Sequence, residues 1–204
     1  MPDHVPVLGT DGTFMKAKEY PGVLLTIIQR DANGHNNVLA VAVVPAETVE
    51  HYLWFLKMCM RSGIVFANYA VFADRGKITN AVAALRTAGY RVFLKHCTVH
   101  LLRNLNTNFQ LRGPSFEGAV WALQATAFQN DYERAISTIA FSEEAVAYLR
   151  NLGPETWTVY GNMKGYNVEE SRPLFGVRST NFVESDNAKK YPLYFAACDS
   201  FSIV

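Results

Sequence analysis

Val5-Pro-Val-Leu-Gly-Thr-Asp-Gly-Thr-Phe-Met-Lys16 is the stretch that decides how the rest of this chain is read. Val5, Val7 and Phe14 suit a strand, and Gly9, Thr10 and Gly12 flank a single acid, Asp11. A carboxylate inside an apolar strand is costly to bury unless a hydrogen-bond donor or a cation meets it. Asp11-Gly12 is also a strong short signal for a hairpin turn. These residues alone therefore admit both a turn and a site, and the elements around them have to separate the two.

Working outward, Tyr20-Pro21-Gly22 turns the chain into a second strand, Val23 to Gln29, rich in β-branched residues. A turn cluster, Asp31 to Asn37 with Asn33-Gly34 at its centre, leads into a third strand, Val38 to Val44. Such short connections make an antiparallel meander. Two of its strands are apolar on both faces, which predicts that both faces of the sheet are covered. The period then becomes helical from about Ala46 to Arg61, with Val49, Tyr52, Leu53, Leu56 and Cys59 in phase and Gly63 as the stop. Tyr69 to Ala73 reads as a buried strand ending at Asp74. Ile78, Ala81, Val82 and Leu85 mark a helix closed by Gly89. Arg91 to Lys95 is a fifth strand, and His96-Cys97-Thr98-Val99-His100 opens a helix through Leu101, Leu102 and Leu105. The later strands can join the sheet only through helical crossovers, so the class is α/β, a mixed sheet flanked by helices.

From Gly113 onward the pattern is helical. Phe116, Val120, Leu123 and Ala127 mark one helix, and Asn130 with Glu133 resembles a capping box opening another. Ser142-Glu143-Glu144 caps a third, which Leu152-Gly153-Pro154 ends. Asn162 to Pro173 reads as a polar loop, and Phe175 to Asn187 leads into a last helix. Trp54, Trp121 and Trp157 read as packing residues.

A net charge of +1 gives no global basic field, so any nucleic-acid role must rest on a local patch. Lys77, Arg86, Arg91, Lys95, Arg103, Arg112, Arg178, Lys189 and Lys190 are the scattered bases from which such a patch could be built. Three widely spaced cysteines, Cys59, Cys97 and Cys198, do not make a disulfide framework and suit a reducing, intracellular compartment. No apolar run approaches the length of a membrane span, and no membrane partner is expected.

Two groups of residues could carry chemistry. Asp11 lies in the first strand, Asp74 ends the fourth, and Glu184 opens the last helix. Neighbouring first and fourth strands would set the two aspartates on one edge, where α/β folds place their chemistry. Three converging carboxylates repel one another unless cations lie between them, and hard oxygen ligands suit Mg²⁺ or Mn²⁺. The second group is Cys97 and His100, two residues apart. They read either as a structural hydrogen-bonded pair or as half of a zinc site, and the chain offers no second pair at matching spacing.

One ordered set of motifs adds to this reading. Asp11-Gly12-Thr13-Phe14, Glu47 with Trp54-Phe55-Leu56, and Phe72-Ala73-Asp74-Arg75 come first. Cys97-Thr98-Val99-His100 with Leu101 to Leu105, and Ser179-Thr180-Asn181-Phe182-Val183-Glu184-Ser185-Asp186-Asn187, follow. Together they resemble the catalytic domain of Mutator-like element (MULE) transposases, from about residue 5 to 188. The resemblance implies one RNase H-like domain over residues 1–204, with a mixed five-stranded sheet. It implies an all-helical insertion at about 113–170, before the last catalytic helix. It also implies a DDE-type catalytic trio of Asp11, Asp74 and Glu184 holding Mg²⁺ or Mn²⁺, and it maps the family's cysteine–histidine motif to Cys97 and His100.

The expected activity is DNA cleavage and strand transfer at transposon ends. The expected partners are double-stranded DNA, both terminal inverted repeats and target, and further copies in a homo-oligomer. The expected compartment is the nucleus. No DNA-recognition domain precedes Asp11, and Lys189-Lys190-Tyr191-Pro192 stops the last helix, so a truncated copy is expected. The alternative from another class is a non-catalytic DNA-binding or interaction protein derived from a transposase.

Overall fold

The computed structural model of the chain describes residues 4–15, 21–31, 33–139 and 142–187. Its centre is a meander of three strands, β1 (His4–Phe14), β2 (Val23–Asp31) and β3 (Asn36–Val44). The chain then crosses over through α1 (Val49–Arg61) to β4 (Ala70–Ala73), and through α2 (Lys77–Thr87) to β5 (Phe93–His96). The sheet order is β3-β2-β1-β4-β5, with β1, β2 and β3 antiparallel in sequence and β4 and β5 parallel to β1. This is the RNase H-like arrangement. After β5 come α3 (Thr98–Phe109), α4 (Pro114–Ala125), α5 (Gln129–Thr138) and α6 (Glu143–Asn151), and residues 181–187 are helical.

Local sequence explains the element ends. Thr48 caps α1, its hydroxyl accepting the His51 N–H at 3.2 Å, and Gly63 follows the last turn at φ +98°, a conformation that costs glycine little. Ser142 caps α6 in the same way, its hydroxyl accepting the Ala145 N–H. The capping box expected at Asn130 is not there. α5 begins one residue earlier, at Gln129, with Phe128 in the cap position and no side-chain cap. Asn130 therefore lies inside the first turn, where its side chain cannot cap.

Apolar side chains collect in three places. One core packs α1 and α2 on one face of the sheet, around Leu25, Leu56, Val71 and Leu85. A second lies on the other face, where Phe182 and Val183 meet Val7, Ile28 and Phe72. The third is made by the helices from α3 to α6 with Trp157, which is fully buried. β2 is buried on both faces through seven residues, as a central strand should be. β3 is not. It alternates, leaving Leu39, Val41 and Val43 exposed, because it is the edge strand and only one of its faces is covered. Trp54 of α1 is also exposed, beside Leu39 and Val41 of β3 and outside the core. Cys198, Lys189, Lys190 and Pro192 lie outside the described residues.

Candidate active site

β1 and β4 run parallel with Val7 beside Ala70 and Gly9 beside Phe72. Two residues further along each strand, the same register brings Asp11 level with Asp74, at the C-terminal end of β4. The two aspartates predicted to share an edge therefore do. Asp74 leaves the sheet at its last residue, is half-exposed, and accepts the Arg75 N–H on Oδ1 at 2.5 Å. Asp11 is still within β1, paired across to Thr26 of β2, and is largely screened from water.

Glu184 reaches this edge by a different route. Residues 174–180 form a strap along the β5–α3 junction. The Thr98 N–H donates to the Arg178 carbonyl at 3.1 Å, and the Thr180 N–H donates to Cys97 Sγ at 3.2 Å. The strap delivers helix 181–187 onto the sheet beside β1. Gly9 permits the contact: a Cβ there would overlap Val183 and the Phe182 ring. At the far end of the helix, Asn187 donates through Nδ2 to Asp11 Oδ2 at 3.3 Å and to the Thr13 hydroxyl at 2.9 Å. Its Oδ1 accepts from the Thr26 hydroxyl at 3.2 Å.

His100 links Asp74 and Glu184. Its Nε2 lies 3.9 Å from Asp74 Oδ2 and 3.9 Å from Glu184 Oε1, so those two oxygens are no further apart than twice that distance. The Thr180 hydroxyl also reaches Glu184 Oε1 at 3.5 Å. Thus Asp11, Asp74 and Glu184 face one space, with His100 between the latter two.

The electrostatics fit that crowding. Burial, and then the charge of Glu184, push the Asp11 carboxyl up to about 6, against the donors Gly12 N–H and Asn187 and the His100 ring. His100 is shifted toward its charged form, first by Cys97 and also by the Asp74 charge, in spite of its partial burial. Its Nδ1 is buried and, among the described residues, meets no partner of full hydrogen-bonding geometry. Burial alone would raise the Cys97 thiol, but His100 and the Thr180 N–H outweigh it and lower the thiol overall.

Sequence reasoning missed several members of this site. Asn187 orients Asp11 from 176 residues away, a separation that no local pattern signals. Glu47 is a fourth acid at the edge. Its carboxyl accepts the Tyr52 hydroxyl at 3.2 Å and packs against Gly12. The Tyr52 phenol is driven up by burial first, then by the charges of Glu47, Asp11 and Asp74. Of the scattered bases, Arg103 is close enough to oppose the charging of His100. Arg86 and Arg91 pair instead with Glu170 and Glu169, and Lys95 is buried against two backbone carbonyls.

Asp11, Asp74 and Glu184 are hard oxygen donors, and the desolvated, repelled carboxyl of Asp11 is one that a divalent cation would relieve. In kind the donors fit Mg²⁺ or Mn²⁺. As they stand, no three His, Cys, Asp or Glu side chains among the described residues converge closely enough to hold a metal ion. Cys97 and His100 fit zinc less well, since the thiol already accepts from Thr180 and, among the described residues, no third ligand closes a set with both of them.

No family model matches the chain, and no curated protein matches it. Among solved structures, the chain is similar to the HTLV-2 integrase catalytic core domain in complex with magnesium (dimeric form), at 17% identity and a TM-score of 0.28. The alignment covers 68% of this chain and 86% of that one. Overlap of that order adds nothing to the strand order and register described above.

Proposed function

We propose that this chain is the catalytic domain of a DDE-type polynucleotidyl transferase of the Mutator-like transposase kind. The supporting observation is the convergence of Asp11, Asp74 and Glu184 from β1, β4 and helix 181–187 onto one edge of an RNase H-like sheet. These three residues would hold Mg²⁺ or Mn²⁺. Bound there, the ions would lower the pKa of an attacking water or 3′-hydroxyl and stabilise the leaving oxygen of a phosphodiester.

The chain's own residues do the positioning. Asn187 fixes the rotamer of Asp11, Gly9 lets the Glu184 helix lie on β1, and the strap sets its angle. His100 holds Asp74 and Glu184 to a common span. α4, α5 and α6 correspond to the family's helical insertion, within a single domain spanning residues 1–204. The partners would be double-stranded DNA at terminal inverted repeats and at the target, and further copies of the chain. The setting would be the nucleus. The Cys97–His100 pair then has a structural role: it joins the strap to the start of α3.

A nicking assay on duplex DNA with and without Mg²⁺ tests this. Wild type should nick only with the cation, and Asp74→Asn should lose about a thousandfold or more of that activity. Equal activity in both proteins would refute the reading. One observation favours a second reading, a non-catalytic DNA-binding module descended from such an enzyme: the ligand set is not closed among the described residues. That reading predicts cation-independent DNA binding with no cleavage.

A further inference from the structure

At the N-terminal end of helix 181–187, opposite the end whose Asn187 meets Asp11, lies a cleft of about 530 Å³. Its walls come from distant parts of the chain: Arg30 near the end of β2, Trp121 of α4, and Phe175, Arg178 and Phe182 from the strap and the start of the helix that follows it. We propose that this cleft holds one unpaired nucleotide of the DNA strand flanking the scissile bond, with its base on the aromatic wall and its phosphate beside Arg30. The proposal rests on the transposase reading and names a subsite for its substrate.

Three observations carry it. First, the lining combines π-faces with cations. The Arg178 guanidinium lies over the Trp121 ring at 4.7 Å and that of Arg30 over the Phe182 ring at 5.8 Å. Flat faces beside positive charge recognise single-stranded bases without regard to sequence. Second, Phe175 is 55% exposed and has φ +50°, the left-handed region that a bulky side chain occupies only at a cost. The fold thus holds a large aromatic ring out into the cleft mouth in a strained backbone. Strain of this kind is retained where a side chain has to be presented.

Third, the charge is uneven in use. Asp31, the acid on the cleft wall, is occupied by its own turn, accepting the Asn33 and His35 N–H groups and the His35 ring. Arg178 is committed through Nε to Gln124 and through Nη2 to the Trp121 carbonyl. Arg30 makes no ion pair among the described residues and is the cation left for a phosphate. The volume is that of a small-ligand pocket, far too narrow for a duplex. Phe182 and Glu184 are two residues apart on one helix and project from nearly opposite sides of it. A strand whose scissile phosphate lies at Glu184 would have to pass around the helix to place a flanking nucleotide in the cleft.

The test uses the full chain and a duplex with a short unpaired flank carrying 2-aminopurine, beside the same duplex fully paired. Stacking in the cleft predicts strong quenching of the unpaired probe and tighter binding of the flanked duplex. In Phe175→Ala the flanked-to-paired affinity ratio should fall by about tenfold. Phe175→Leu, which keeps apolar bulk without a π-face, should lose the quenching, and Arg30→Gln should lower the ratio. Unchanged ratios in the variants, or equal quenching of 2-aminopurine nucleoside monophosphate free in solution, would overturn the proposal. Duplex binding without flank quenching refutes the cleft alone. Absence of any DNA binding refutes the transposase reading together with it.

Discussion

Asp11 is the residue on which opposing demands meet. Burial and Glu184 raise its carboxyl from 3.8 to about 6. Between those values the folded chain binds a proton that the unfolded chain releases. Asp11 therefore favours the folded state below the unfolded value, and that contribution is lost as pH rises through about 6. Asp11→Asn should stabilise the chain at pH about 7.5, by no more than on the order of 3 kcal/mol, and change nothing at pH about 3.5. Mg²⁺ should stabilise wild type at neutral pH and leave the variant unmoved. Thermal melts at the two pH values, with and without the cation, check both statements.

Asn187→Ala removes the donor shared by Asp11 and Thr13 and leaves the Thr26 hydroxyl without its acceptor. A loss of about 1–2 kcal/mol in denaturant unfolding is expected, with a further upward shift of Asp11 visible in its carboxyl NMR titration. Asp11 was legible in the sequence because an acid in an apolar strand demands a reason. Asn187 stood inside a motif, but its role was not legible, because its partners come from two strands at the other end of the chain.

At the scale of elements, the contact of helix 181–187 with β1 decides whether Glu184 arrives. Gly9→Ala puts a methyl group into Val183 and Phe182. It should cost about 1–3 kcal/mol in chemical denaturation and should separate the helix from the strand, reducing nicking more than stability. A variant as active and as stable as wild type would show that the helix does not depend on this approach.

β5 makes a second anchoring contact. The buried Lys95 amine donates to the carbonyls of Glu155 at 2.7 Å and Glu170 at 3.0 Å, and burial lowers it from 10.5 to about 7. The unfolded chain holds that proton more tightly, so the Lys95 contribution to stability should rise with pH from about 7 toward 10.5. Lys95→Met should flatten that slope in urea titrations while leaving two carbonyls unmet. The elements themselves were mostly readable. Strand order followed from short loops and helical crossovers, and caps at Thr48 and Ser142 follow from residue type. The edge position of β3 was not readable, since its composition matches that of a central strand and only its neighbours tell the two apart. The expected cap at Asn130 failed because a good capping residue two positions past the cap simply becomes part of the first turn.

For the whole molecule, two bodies of packing meet at the site. The sheet with α1 and α2 supplies Asp11 and Asp74, and the helical core from α3 to α6 shares its first helix with His100. The strap runs between them and carries Glu184. The site thus depends on relations between parts far apart in sequence, which is why the trio was visible as residue types while its spacing was not. The proposed chemistry requires that Asp11, Asp74 and Glu184 form a single divalent-cation site. A crystal grown with Mn²⁺ and a DNA end, measured at an energy where manganese scatters anomalously, tests it directly. The predicted result is an anomalous peak within ligating distance of Asp11 and Asp74, with Glu184 turned toward it, that disappears in Asp74→Asn. A map with no peak at that edge, or with the same peak in both proteins, would contradict it.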